Sequence, residues 1–168
     1  MSYKIIGIDP GKLGAIAELD LEARHCRWMK LPYRDDKLLN IREIKFHFDL
    51  HSANRIAVEK VGFIKGASGQ STFTFGMNFG MLMMLIADYP YEYILPQVWH
   101  KSINGGSQIG TTKERTAASF TRINPSFGKI VASQHEGLLD AWCLAYYCGQ
   151  KNHLVMPSGF SFQEVSRS

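Results

Sequence analysis

The sequence predicts an α/β fold in which a mixed five-stranded sheet is flanked by helices, and three observations lead there. Three strand-like apolar runs fall within the first thirty residues, joined by short polar links, so the chain opens as an antiparallel meander. Two further strand-like runs follow singly, each separated from its predecessor by a segment of helical periodicity, which demands parallel pairing through right-handed crossovers. The 168 residues are 45% hydrophobic and 20% charged, enough to fill one core and too few for two.

Residues 3–9 (YKIIGID) form an isoleucine-rich run closed by Pro10 and Gly11, and read as a buried strand ending in a turn. Residues 14–20 and 25–30 supply the second and third strands. Asn40 with Glu43 is a capping-box pair opening a helix to about residue 50, with Ile41, Ile44 and Phe48 at helical spacing. Residues 55–59 (RIAVE) are the fourth strand. A glycine-rich loop over 62–70 leads into 73–87, long, apolar and rich in methionine, which reads as a buried helix. Residues 91–95 are the fifth strand, stopped by Pro96. After the irregular stretch 104–110, Thr111 with Glu114 caps a helix ending near Asn124 and Pro125, and Ser133 with Glu136 opens another to about Cys148. Residues 1–150 thus read as one domain in the order of a ribonuclease H-like fold, and 151–168 as a loose polar tail.

Composition narrows the function. No apolar run approaches about 18 residues, and Lys4 with a strand-like start stands where a signal peptide would carry its basic and apolar regions, so neither membrane insertion nor export is expected. Cys26, Cys143 and Cys148 are odd in number and lack CxxC spacing, as expected of reduced core residues. The net charge of +4 comes from 19 basic and 15 acidic residues, and all of the excess lies between Gln97 and Val131, where Lys101, Lys113, Arg115, Arg122 and Lys129 face the single acid Glu114. Such a stretch is either a solvated helical face or a contact for a polyanion.

Four acids carry the chemistry. Asp9 closes the first strand and Glu59 the fourth; if those strands are parallel neighbours, both carboxylates emerge at the sheet edge where open α/β sheets bind ligands. Glu136 and Asp140 are four residues apart on a helix, about 40° around its axis, and share a face. Asp140 interrupts the apolar series Leu138, Leu139, Ala141, Trp142, Leu144, where an unpartnered acid is costly. Other readings exist for each: a turn for Asp9 in Asp-Pro-Gly, a strand-end surface acid for Glu59, a capping role for Glu136. His135 lies about 140° from Asp140 and reads as a polar neighbour. Taken together, four hard oxygen ligands suit Mg²⁺ or Mn²⁺, and two such ions about 3.5–4 Å apart support phosphodiester hydrolysis by water. This requires the four carboxylates to converge on one pocket.

The segments GIDPGKLGAIA (7–17), AVEKV (57–61), FGMNFGML (75–82), ILPQVWHKSI (94–103) and HEGLLDA (135–141) resemble, in order, those of the RuvC family of Holliday-junction resolvases, particularly the compact phage and mobile-element type. The resemblance spans residues 3–149. It implies that Asp9, Glu59, Glu136 and Asp140 bind the metal, that Lys113 stands near the scissile phosphate, and that a homodimer nicks four-way or other branched DNA symmetrically. The cellular enzymes carry their fourth ligand three residues before the last acid, which here is Gly137; Glu136 matches the mobile-element form. The resemblance also implies DNA contacts from Phe63, Lys65, Gln97, Lys101, Lys113 and Arg115, with Phe63 as a wedge one residue after the family's aromatic position, here Gly62. Gly76 and Gly80 would allow close approach of a second helix. The expected location is the cytoplasm of a bacterium or a phage-infected host. Two alternatives stand beside this: an RNA-processing nuclease resembling the YqgF group, with the same fold, and a catalytically silent DNA-binding module.

Overall fold

The computed structural model describes residues 2–62, 66, 68–105 and 109–166. Strands β1 (Lys4–Ile8), β2 (Ala15–Asp20) and β3 (His25–Lys30) form the antiparallel meander, with Ile8 opposite Ile16 and Asp20 opposite His25. Helix α1 (Ile41–His47) and a short 3₁₀ turn, Leu50–Ser52, return the chain to β4 (Arg55–Glu59), parallel to β1. Helix α2 (Gly69–Ile86) then crosses to β5 (Tyr91–Ile94), parallel to β4. The sheet order is β5-β4-β1-β2-β3, extended by β6 (Ser161–Glu164), which pairs in parallel with β3. Apart from β6 this is the expected ribonuclease H-like mixed sheet.

Strand alternation divides the interior in two. Ile6 and Ile8 point to the layer holding Ile44 of α1 and Leu82, Leu85 and Ile86 of α2. Ile5, Ala15, Ala17 and Leu19 point to the other, which is covered by α3 (Pro96–Ile103), α4 (Thr112–Ile123) and α5 (Ala132–Lys151). All three cysteines are free and buried. Among the described residues no helix is long and apolar enough to cross a membrane.

The structure corrects four expectations. The tail is not loose throughout: residues 161–164 add a sixth strand, and Phe160 is buried while Phe162 packs on the core. Its apolar residues are too few for a periodic signal, and only the vacant edge of β3 makes a strand of them. Helix α3 was not expected; Pro96 at its first turn both ends β5 and starts the helix, which is the position where proline fits a helix. Helix α2 is buried on one side alone. Asn78, Leu82, Leu85 and Ile86 face inward, whereas Phe73, Met77 and Met84 are 69%, 40% and 78% exposed. A helix apolar all round does not show which side is covered. Finally, α5 starts at Ala132 with Val131 as its N-cap, so Glu136 is not at the capping position. The Val131 N–H instead donates to His135 Nδ1 at 2.9 Å, and the His135 ring stands edge-on to Phe127. The Thr111–Glu114 capping box is present in full, and the Asn40 side chain accepts from the Glu43 N–H.

Helix α5 lies unusually close to the start of the sheet. A Cβ at Gly7 would sit 2.0 Å from the Ala141 carbonyl oxygen, and one at Gly137 would sit 2.2 Å from that of Leu13. Both neighbours are backbone, so neither can swing aside. Gly7→Ala or Gly137→Ala is expected to lower unfolding free energy by about 1–3 kcal/mol or more, because overpacking here must displace a whole element. Urea denaturation measures it; an unchanged midpoint for both variants would contradict the contact.

Candidate active site

The parallel pairing of β1 and β4 puts Ile8 beside Val58, so the next residues, Asp9 and Glu59, leave the sheet side by side. The turn after Asp9 is fixed by its own backbone: the Gly11 N–H donates to Asp9 Oδ1 at 2.8 Å and the Gly14 N–H to the Gly11 carbonyl at 2.8 Å. Glu59 Oε1 accepts from Trp99 Nε1 at 3.1 Å, and Trp99 is fully buried in α3. The close seat of α5 carries Glu136 and Asp140 to the same edge. Position 137, facing the loop backbone, has room for no side chain at all.

Electrostatics tie the four together. Burial raises the Asp9 carboxyl above its usual range, with Glu136 adding to the effect and the Gly11 N–H opposing it. Burial and then the neighbouring Asp9 push Glu59 up to about 7, against the Trp99 bond. Asp140 is also pushed to about 7, by burial and by Asp9, Glu59 and Glu136, with Lys113 opposing. Like charges held together out of water do this to one another unless a cation intervenes. The cation at hand is Lys113, second residue of α4, whose ammonium pairs with Glu136.

As a donor set, buried and mutually repelling carboxylates fit a hard divalent cation. As geometry they are not yet a cage. Among the described residues, no three His, Cys, Asp or Glu side chains form a group that could hold an ion. The convergence expected from the sequence is met in charge and not in coordination. Three of the four acids have local partners instead: Gly11 for Asp9, Trp99 for Glu59, Lys113 for Glu136.

Beside the acids, a cleft of about 730 Å³ runs between α3 and α4, and Gln97, His100, Lys101, Lys113 and Arg115 line it together with Asp140. Four of the residues expected to touch DNA therefore share one groove with one of the acids. Arg115 is tethered there, donating to the Gly110 carbonyl at 2.7 Å. Phe63 and Lys65 lie outside the described residues. Sequence reasoning missed two neighbours. Trp99 is a core residue, and its indole bond to Glu59 has no sequence signal; the i,i+4 pair Trp99 and Ile103 after Pro96 does signal the helix that delivers it. Tyr33, in the loop after β3, donates to the Gly11 carbonyl at 3.4 Å and stands close enough to Asp9 for its phenol to be pushed up, after burial, by that charge. Nothing in its local pattern marks it.

No family profile matches the chain, and no curated protein matches it. Among solved structures it is similar to Thermus thermophilus RuvC in complex with a Holliday junction substrate, at 18% identity and a TM-score of 0.59 over 92% of this chain and 99% of that one. A second Thermus thermophilus RuvC structure matches at 16% identity and a TM-score of 0.56 with the same coverage. At these identities the likeness is one of fold: the chain has the RuvC-like form of the ribonuclease H-like fold.

The raised carboxyls give the divalent-free protein a definite pH dependence. Glu59 and Asp140 titrate at about 7 when folded, against 4.5 and 3.8 ordinarily, so between those values the native state holds protons that the unfolded state has lost. Stability therefore falls as pH rises through that window. Asp140→Asn is expected to raise the Tm of chelator-treated protein at pH 8 by roughly 2–4 °C per kcal/mol relieved, and to leave it nearly unchanged at pH 4. Thermal melts at the two pH values decide; equal effects at both would refute the mutual repulsion.

Proposed function

We propose that the protein is a metal-dependent, structure-selective DNA endonuclease that cuts four-way and other branched DNA by paired symmetric nicks. The observation that carries this reading is the set of four carboxylates, from β1, β4 and α5, brought to one sheet edge beside a basic groove, where burial and like-charged neighbours raise the pKa of Asp9, Glu59 and Asp140. The RuvC-like fold, and the junction bound by one of the similar structures, support the choice of substrate.

In this reading Asp9, Glu59, Glu136 and Asp140 hold Mg²⁺ or Mn²⁺, two ions per site. When bound, such ions neutralise the scissile phosphate and activate water for in-line attack. The chain's own contribution is to place and balance charge. Trp99 fixes the direction of Glu59, and the Gly11 N–H that of Asp9. Lys113, 76% exposed at its side chain and at the start of α4, offers an ammonium and helix-end N–H groups to a phosphate. Gln97, Lys101 and Arg115 continue that grip along the groove.

Paired nicks on a two-fold symmetric junction need two active sites, hence a homodimer. The uncovered face of α2, with Phe73, Met77 and Met84 exposed and Gly76 and Gly80 open to close approach, is the surface assigned to it. Burying such a face against its own copy suits an isologous contact.

The purified protein in Mg²⁺ is expected to cut a synthetic four-way junction in preference to duplex DNA or structured RNA. Asp9→Asn should lower cleavage by at least about 100-fold while junction binding in a gel-shift assay persists, since the loss removes a ligand charge and not the basic groove. Wild-type rates for Asp9→Asn, or preference for RNA, would defeat the assignment. Met77→Glu should turn a dimer into a monomer in sedimentation equilibrium, and a wild-type monomer at micromolar concentration would remove the paired-nick arrangement.

A further inference from the structure

Among the described residues, Asn78 is the one buried polar side chain of α2, 8% exposed on the same side as Leu82, Leu85 and Ile86. An apolar residue would fill that place with no polar group to desolvate, so a buried amide there needs its partners. Both halves of the amide have one. Asn78 Oδ1 accepts from the Leu39 N–H at 2.9 Å, and Nδ2 donates to the Lys37 carbonyl at 3.0 Å. These partners lie in a hairpin over 33–39, in which Tyr33 pairs with Leu39 and the Arg34 N–H donates to the Leu38 carbonyl at 2.8 Å. Lys37 at its tip takes a left-handed backbone, with φ of 65°, which few residues other than glycine adopt. The Asn78 bonds fall on that residue and on the return strand.

The base of the hairpin rests on the turn that carries Asp9. The Leu31 N–H, just before it, donates to the Gly14 carbonyl at 2.9 Å, and the Tyr33 hydroxyl donates to the Gly11 carbonyl at 3.4 Å. Gly11 and Gly14 are the residues whose N–H groups close that turn, the first on Asp9 Oδ1 itself and the second on the Gly11 carbonyl. Gly14 has no play, since a Cβ there would stand 2.0 Å from the Asp9 carbonyl oxygen. A line of hydrogen bonds thus runs from α2 through the hairpin to the carboxylate. A turn closed only by its own bonds opens locally at little cost in free energy, and bracing it on a packed helix raises that cost.

We propose that Asn78 is a positioning residue of the active site, which through the 33–39 hairpin holds the 11–14 turn and with it the direction of the Asp9 carboxylate. The part Asp9 plays in cleavage rests on the nuclease reading; the bracing of its turn does not. Asn78 acts through Leu31, Tyr33 and the two glycines rather than on the reacting atoms. A functional carboxylate must be held to within roughly 10–20° of its working direction, and a single hydrogen bond from Gly11 is a weak guide without something rigid behind it.

The experiment uses full-length Asn78→Leu, which is close in volume, and Tyr33→Phe, which removes one hydroxyl outside the core. Amide exchange followed by NMR is expected to quicken at Gly11 and Gly14 by about fivefold or more in Asn78→Leu and about threefold in Tyr33→Phe, while β1 and α5 stay within about twofold. Junction cleavage at saturating DNA should fall about tenfold in Asn78→Leu, with the half-saturating DNA concentration changed by less than about twofold. Exchange that quickens alike in β1 and α5 would reduce Asn78 to a residue of general stability and overturn the proposal. Unchanged exchange at Gly11 and Gly14, or a loss carried by DNA affinity alone, would also overturn it. Should Asn78→Leu not fold, unchanged exchange in Tyr33→Phe is enough to do so. A wild type that cuts no branched DNA would remove the nuclease reading, and the exchange rates, which need no substrate, would still decide the brace.

Discussion

The contact on which the site depends is the backbone-to-backbone seat of α5 against β1 and the loop that follows it. At Gly7 and Gly137 the helix and the sheet approach until no Cβ fits between them. Side chains of any size would hold the helix off, as they do in ordinary helix–sheet packing, and Glu136 and Asp140 would ride out with it. Because they do not, two acids on a helix reach two acids on parallel strands. The core behind them, from Leu138 to Ala145 on α5, is closed around the same line.

That proximity creates the charge problem that defines the site. Asp9, Glu59 and Asp140, largely removed from water, disfavour one another's charge, and Glu59 and Asp140 show it by titrating at about 7. Gly11, Trp99 and Lys113 give local partners to Asp9, Glu59 and Glu136, and among the described residues no three candidate ligands form a group that could hold an ion. Lys113 belongs to α4, so the helix that lines the basic cleft also supplies the cation nearest the acids. Acid cluster and groove are thus one electrostatic unit, negative at Asp140 and positive along α3 and α4.

Much of the strand framework was legible because its signal is local. The runs 3–9 and 55–59 are short and rich in β-branched residues, and they fold, like 25–30, where they were expected. Thr111 with Glu114 marked its helix for the same reason, since the capping box is a contact between residues three apart. The pair Ser133 and Glu136 has the same spacing, but α5 begins earlier, with Val131 as its N-cap and the Val131 N–H donating to His135. Helix α2 was legible as a helix but not in its burial. Its methionines and phenylalanines read alike on both sides, and which side is covered depends on where the sheet lies.

The order of the first five strands could be read from the chain alone, since strand length, helix length and crossover handedness leave few arrangements, and four acids could be picked out as candidates because an acid in an apolar run stands out wherever it falls. Tertiary structure decided how those acids meet. Their distances, the indole on Glu59, the lysine on Glu136, the sixth strand beside β3 and the Asn78 amide on the 33–39 hairpin all join residues far apart in sequence. Such contacts are set by the depth at which one element settles on another, and no local pattern encodes that depth.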